Sequence, residues 1–173
     1  EHLFDVDLQG NDLNVWTYET TRKMVRYGHV GVLVDAPKSN QGGRPYWVTY
    51  TPRDILGFRT EMVDGEVKFT QLRLQEKVSV PDGLYGEKII DQIRYLTRGG
   101  YEIHQKGKNN KFVKTDEGTT SLPEIPFSVA YANRLNLLES RPPMADIAEL
   151  NLKAYQIQSD LDNQLHISAV PML

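Results

Sequence analysis

Residues 56–74, LGFRTEMVDGEVKFTQLRL, decide the fold of this chain. The second half of the stretch alternates between polar and apolar side chains, which predicts a β-strand with one face towards a core. Asp64 and Gly65 stand between the two halves, and an Asp-Gly pair favours the tight turn of an antiparallel hairpin. We therefore predict a β-hairpin within a largely antiparallel sheet.

Similar patterns extend the structure on both sides of this hairpin. A helix is predicted over residues 12–27, because Asp12 can cap its first turn and Gly28 can end it. The predicted fold class is α+β, a mixed, largely antiparallel sheet with an N-terminal helix and a long C-terminal helix. Further strands are predicted at residues 29–35, 45–51, 89–97, 101–105 and 127–132, with connections at 37–44, 81–86 and 106–111.

The composition indicates a globular protein without a strong overall charge. Of the 173 residues 39% are hydrophobic and 25% charged, and the net charge is -3, which gives no global attraction to nucleic acid or anionic lipid. The chain has no cysteine, which excludes disulfides, thiolate metal sites and cysteine nucleophiles. The sequence shows no cofactor motif, no metal-ligand spacing and no convincing catalytic constellation.

Pro142 and Pro143 introduce a long amphipathic helix predicted over residues 142–166. Proline is tolerated in the first turn, because its missing N–H would have no helical partner there. We expect an apolar seam on this helix to pack lengthwise on another helix or a sheet. The seam consists of Ile147, Leu150, Ala154, Ile157, Leu161 and Leu165.

A polar stripe shares another face of the same helix. Such a stripe is typical of solvent exposure, or it forms a second, hydrogen-bonded interface, and the residues alone leave both interpretations open. The resulting subunit-interface candidates are Asn151, Tyr155, Ser159, Asp160 and Asn163.

Several motifs, in a fixed order and spacing, carry a resemblance to a known family. They are GHVGVLVDAP at 28–37, RPY at 44–46, YTPRDI at 50–55 and PPMADIAELNL at 142–152, followed by Tyr155, residues 159–161 and 165–166, and Pro171. In these features the chain is similar to a portal-like protein family of tailed bacteriophages and prophages. Lys153 and Ala154 precede Tyr155 where a His-Tyr or similar pair is expected, so one position departs from the family's pattern.

The resemblance implies a structural role without chemistry. Portal subunits form a ring, usually dodecameric, at one capsid vertex of the virion. The virion is assembled in the cytoplasm of the bacterial host. The implied partners are other copies of the chain, terminase, head-completion proteins, the major capsid protein, and double-stranded DNA that passes through without sequence recognition. The resemblance implies no cofactor, no metal and no catalytic residue.

The same resemblance divides the chain. Residues 1–141 would form a wing-like α/β region and residues 142–166 a helix towards the stem. Residues 167–173 would begin a following strand, because the segment from His166 to Leu173 is strand-like and apolar. We accordingly expect the chain to be an internal segment of a longer protein.

A metal-dependent nuclease of phage or bacterial origin is the alternative function. Asp54, Glu66 and Lys68 resemble a nuclease core in which two carboxylates hold Mg²⁺ and a lysine steadies the attacking water. Glu66 and Lys68 would share one face of a strand. The same Glu-x-Lys pattern is common on the exposed side of alternating strands. We favour this interpretation, in which Glu66 and Lys68 belong to an exposed strand edge and have no catalytic role.

One local stretch is basic, with only Glu102 opposing it in the sequence. Its cations could contact a DNA backbone, or they could simply solubilise an exposed hairpin. The residues are Arg94, Arg98, Lys106, Lys108, Lys111 and Lys114. The four histidines, at positions 2, 29, 104 and 166, lack ligand spacing and are predicted to be surface or interface residues.

Overall fold

The computed structural model describes residues 3–37, 43–107 and 110–168. It confirms the α+β class, and every strand pair within these residues is antiparallel. The elements are α1 (Leu13–Tyr27), β1 (His29–Asp35), β2 (Tyr46–Tyr50), β3 (Ile55–Val63), β4 (Glu66–Asp82), β5 (Gly86–Thr97), β6 (Gly100–Lys106), β7 (Phe112–Thr119), β8 (Phe127–Tyr131), β9 (Arg134–Asn136), β10 (Glu139–Ser140) and α2 (Ala145–Ser168).

The ends of α1 follow from its capping residues. The Asp12 carboxylate accepts a hydrogen bond from the Val15 N–H at 2.8 Å, which satisfies one of the unpaired donors of the first turn. Gly28 ends the helix with φ 90°, a backbone conformation that is strained for residues with a side chain. The predicted helix and both of its caps are confirmed.

β1 is the central strand of a three-stranded sheet, in the order β2-β1-β8. The apolar run that predicted this strand places Val30 and Leu33 in the interior, at 0% and 2% exposure. Gly31 lies directly beneath the ring of Phe127, and a Cβ at this position would collide with that ring. Glycine is therefore required for β8 to pair with β1 in this register.

A second sheet contains five strands in sequential order, from β3 to β7. The predicted hairpin joins β3 and β4, and Asp64 and Gly65 have positive φ angles of 53° and 80°, as a type I′ turn requires. β4 and β5 are longer than the sequence predicted. Among the described residues, their last six residue pairs, from Lys77↔Asp91 to Asp82↔Gly86, are paired with no third strand. We call residues 77–91 the arm.

The hydrophobic core lies between the two sheets and contains residues from both of them. A segment formed by residues 120–126 runs from β7 to β8 and contributes one residue to that core. Burial of each large apolar side chain contributes about 1.5–3 kcal/mol, so this cluster is the main source of stability. Its members are Leu33, Tyr50, Leu72, Leu74, Leu96, Ile125 and Phe127.

The C-terminal region differs from the prediction in two respects. A short hairpin, β9 and β10, precedes α2 and was not predicted, since its strands have only three and two residues. α2 begins at Ala145 and continues to Ser168. The predicted strand start at residues 167–168 is therefore wrong, because both residues are helical, and residues 169–173 lie outside the described part of the chain. Within the described residues, neither helix is long and apolar enough to cross a membrane.

Candidate assembly interface

α2 has 24 residues, and none of them is buried. The apolar seam predicted from the sequence is present, but nothing in the described chain covers it. Its five large side chains remain between 53% and 68% exposed: Ile147, Leu150, Ile157, Leu161 and Leu165. An exposed apolar surface of this kind on a long helix marks a site of contact with another molecule.

The polar stripe lies on roughly the opposite side of α2. At about 100° per residue, the stripe is turned by about 150° from the seam, so the two sets do not compete for one neighbour. All five interface candidates, Asn151, Tyr155, Ser159, Asp160 and Asn163, are exposed. Two further exposed apolar residues, Leu152 and Ile167, lie among them. α2 can thus present one face to each of two neighbours.

The first turn of α2 is fixed to the rest of the fold. Arg141 forms an ion pair with Asp146 at 2.5 Å, across the start of the helix. The backbone N–H of Arg141 donates to the carbonyl of Asn133 at 3.1 Å, which joins the helix start to the β9–β10 hairpin. The helix therefore has a defined origin on the domain, while the remainder of its length is exposed.

His29 is part of this attachment rather than a surface residue. Its side chain is buried, at 5% exposure, and its Nδ1 lies 2.7 Å from the Ser140 hydroxyl of β10. Burial lowers the pKa of His29, since the cationic form would lose its hydration. The surface prediction for His29 is wrong, because β1 carries its side chain inwards. His104 contacts Glu102 at 3.0 Å, His166 is exposed on α2, and His2 lies outside the described residues.

Arg94 lies at the centre of a polar network between the two sheets. Its guanidinium contacts Asp35 of β1 and, at 2.8 Å, Glu76 of β4, and only 17% of its side chain is exposed. Burial lowers the pKa of Arg94, but Glu76 and Asp35 outweigh this and raise it. Tyr46 donates to Asp35 at 2.9 Å and Tyr50 to Glu76 at 2.5 Å.

The two phenols complete this network in their neutral form. Burial and the Asp35 carboxylate raise the pKa of Tyr46 to about 12. Burial and Glu76 likewise raise the pKa of Tyr50. Arg94 thus links the two sheets. The sequence-based prediction that Arg94 contacts DNA is wrong, because its charge is enclosed and neutralised by Asp35 and Glu76.

Three other members of the basic stretch also have acidic partners. Arg98 lies 3.2 Å from Glu61. Lys106 lies 3.8 Å from Asp91, and Lys114 lies 2.8 Å from Glu117. The hydrogen bond that Lys114 donates to the Glu117 carboxylate raises the pKa of Lys114.

Most of these acids lie outside the stretch, on strands that the fold brings alongside. The sequence window could not reveal them, and the charge of the stretch is therefore largely compensated. Lys111 is exposed, and Lys108 lies outside the described residues.

The three residues of the nuclease alternative do not form one site. Asp54 closes the turn before β3, where its carboxylate accepts from the backbone N–H of Thr51 at 2.8 Å. Glu66 pairs with Val63 at the other end of β3, about 25–30 Å away at about 3.3 Å per residue. Lys68 contacts Glu124 at 2.5 Å and Glu66 at 4.0 Å.

No other part of the described chain offers a metal site. Among residues 3–37, 43–107 and 110–168, no group of three or more His, Cys, Asp or Glu side chains could hold a metal ion. No protein-family model matches the sequence, and no curated protein matches it. The exposed helix α2 is therefore the strongest candidate for the functional site in the described residues.

Proposed function

We propose that this chain is a structural subunit of a phage portal ring, which forms the conduit for DNA packaging and ejection at a capsid vertex. The observation that carries the proposal is that no residue of α2 is buried, so its apolar seam is left uncovered by the described part of the chain. The motif resemblance to portal-like proteins is the second support.

The length and faces of α2 suit packing within a ring of identical subunits. At about 1.5 Å per residue, its 24 residues span about 36 Å. Most helices in proteins are stabilised by tertiary packing of their apolar face, which α2 does not receive within the described chain. In a ring each subunit has one neighbour on either side, so the seam of one α2 would meet the polar stripe side of the next.

The electrostatics of the chain are consistent with passage of DNA without binding. Affinity for a DNA backbone depends on free cations that release counterions from the phosphates. The chain has a net charge of -3, and Arg94, Arg98, Lys106 and Lys114 are paired with carboxylates. In the proposed role, terminase, head-completion proteins and the major capsid protein contact other surfaces of the ring.

Electron microscopy tests the proposal directly. The sample is the longest natural polypeptide that contains these 173 residues, imaged in negative stain. Top views with a central hole are expected. A monodisperse monomer at high protein concentration would contradict the ring.

A pair of charge variants tests the part played by α2. Ile157→Glu with Leu161→Glu places two carboxylates on the seam, and we expect it to abolish assembly because the charges would have to be buried. The matched control is Val67→Glu with Val113→Glu, two apolar residues of the five-stranded sheet with 56% and 57% exposure. Equal loss of assembly in both pairs would show that α2 has no special role.

A further inference from the structure

The tip of the arm exposes two large side chains. Leu84 and Tyr85 lie in the turn between β4 and β5, and they are 93% and 101% exposed. The arm holds this tip away from the sheet by about 20 Å, from six residue pairs at about 3.3 Å per residue. Because both side chains are fully exposed, they bury no apolar surface and do not stabilise the isolated chain.

A cleft of about 510 Å³ lies at the other end of the five-stranded sheet. The core residues Leu33, Leu96 and Ile125 lie at its floor, and the exposed side chains of Val34 and Leu122 add apolar surface to its lining. The carboxylates of Asp116 and Glu117 also line it. A cleft of this size, with apolar and polar surface in similar amounts, is a candidate binding site for an amphipathic group.

The arm tip cannot enter the cleft of its own chain. Gly86 begins β5 at the tip, and Thr97 ends the same strand at the cleft. Eleven residue steps at about 3.3 Å separate them by about 36 Å along the strand. Any contact between the two features must therefore join two copies.

We propose that Leu84 and Tyr85 of one copy insert into this cleft of a second copy, and that the contact repeats from head to tail. This inference rests on the proposed ring and identifies the contact between its neighbouring subunits. A contact between two different surfaces gives a closed ring when the rotation between copies closes, whereas a contact between identical surfaces would end at a dimer.

The chemistry of the tip matches that of the cleft. The apolar parts of Leu84 and Tyr85 meet the apolar half of the lining, and the phenol of Tyr85 donates a hydrogen bond to a carboxylate in the polar half. A carboxylate has about four acceptor sites, so Glu117, whose side chain is 66% exposed, can accept this bond beside its contact with Lys114. One aromatic side chain buries about 150–250 Å², well below the roughly 1,200 Å² of a stable interface, so the tip adds to the contact made by α2.

Cysteine cross-linking tests the head-to-tail contact, because the natural chain contains no cysteine. The double variant Lys88→Cys Thr119→Cys places one thiol beside the tip and one at the cleft, both at exposed positions. Mild oxidation followed by electrophoresis without reductant should give a ladder of dimers, trimers and larger species. Each single variant should stop at the dimer.

The control variants keep the thiols and alter one other residue. Adding Tyr85→Ser to the double variant should reduce the ladder at least several-fold, whereas adding Lys77→Ser at the base of the arm should leave it unchanged. A double variant that gives no species beyond the dimer, or a ladder that persists after Tyr85→Ser, overturns the tip contact.

The outcomes separate this inference from the proposed function. Rings in electron micrographs without a Tyr85-dependent ladder would retain the portal role and reject the tip contact. A Tyr85-dependent ladder from a protein that forms filaments would support the tip contact and reject the ring.

Discussion

Replacing Arg94 by methionine should remove a large share of the stability of this fold. The substitution keeps much of the side-chain volume and leaves Asp35 and Glu76 with no cation between them. These two side chains are only 19% and 14% exposed, so water cannot compensate for the loss. Breaking a buried ion pair from one side costs about 3–5 kcal/mol. The total free energy of unfolding of a domain of this size is about 5–15 kcal/mol.

The decisive measurement compares Arg94→Met with the triple variant Arg94→Met Asp35→Asn Glu76→Gln. Amide oxygens still accept the hydrogen bonds of Tyr46 and Tyr50, while the stranded charges are gone. Urea unfolding should therefore give the triple variant a free energy of unfolding at least about 2 kcal/mol above that of the single variant. The urea slope should remain the same for both proteins if each unfolds in two states.

A cost of Arg94→Met below about 1 kcal/mol, or a triple variant no more stable than the single one, would refute the reasoning.

Three further perturbations have defined outcomes. Because burial lowers the native pKa of His29 below its ordinary value of 6.5, the unfolded state binds the proton more readily, and thermal stability should fall as pH drops below 6.5. This dependence should be weaker in His29→Gln. Gly31→Ala should lower the free energy of unfolding in urea by about 1–3 kcal/mol, because its Cβ would overlap the ring of Phe127. Incubation of DNA with the wild-type chain and Mg²⁺ should give no cleavage, and cleavage that disappears in Glu66→Ala Lys68→Ala would favour a nuclease instead.

Local signals in the sequence determined much of the fold. Asp12 and Gly28 mark the ends of α1, and Asp64 and Gly65 mark the first hairpin, because each acts on backbone atoms within a few residues of itself. The alternation of residues 89–97 likewise placed β5. β6 begins at Gly100, one residue before the strand predicted at 101–105.

The remaining features depend on contacts between distant parts of the chain. The partners of Arg94 are on β1 and β4, so a basic stretch in the sequence became a neutralised link between sheets. His29 is buried because β10 covers it, and a strand of two residues leaves no periodic signal. The apolar continuation that suggested a strand after His166 is equally compatible with another helical turn, which the structure adopts.

Helical spacing places the seam and the stripe on different faces of α2. The predicted packing of the seam is absent within the described residues, and the stripe as a subunit interface stays a prediction. The arm tip was described only as an exposed connection. Leu84 and Tyr85 stand between Gly83 and Gly86, and two apolar residues in a glycine turn are the signal that could have identified them.

The order of the strands along the chain has a consequence for folding. β1 lies between β2 and β8, yet the whole five-stranded meander is synthesised after β2 and before β8. The hairpins of that meander close small loops and can form early, whereas β1 must wait for β8 with one edge unpaired. An unpaired apolar edge is a template for pairing with another nascent or refolding chain. Refolding yield should therefore fall as protein concentration rises. The edge stops being a template only when β8 pairs with it and Phe127 covers Gly31.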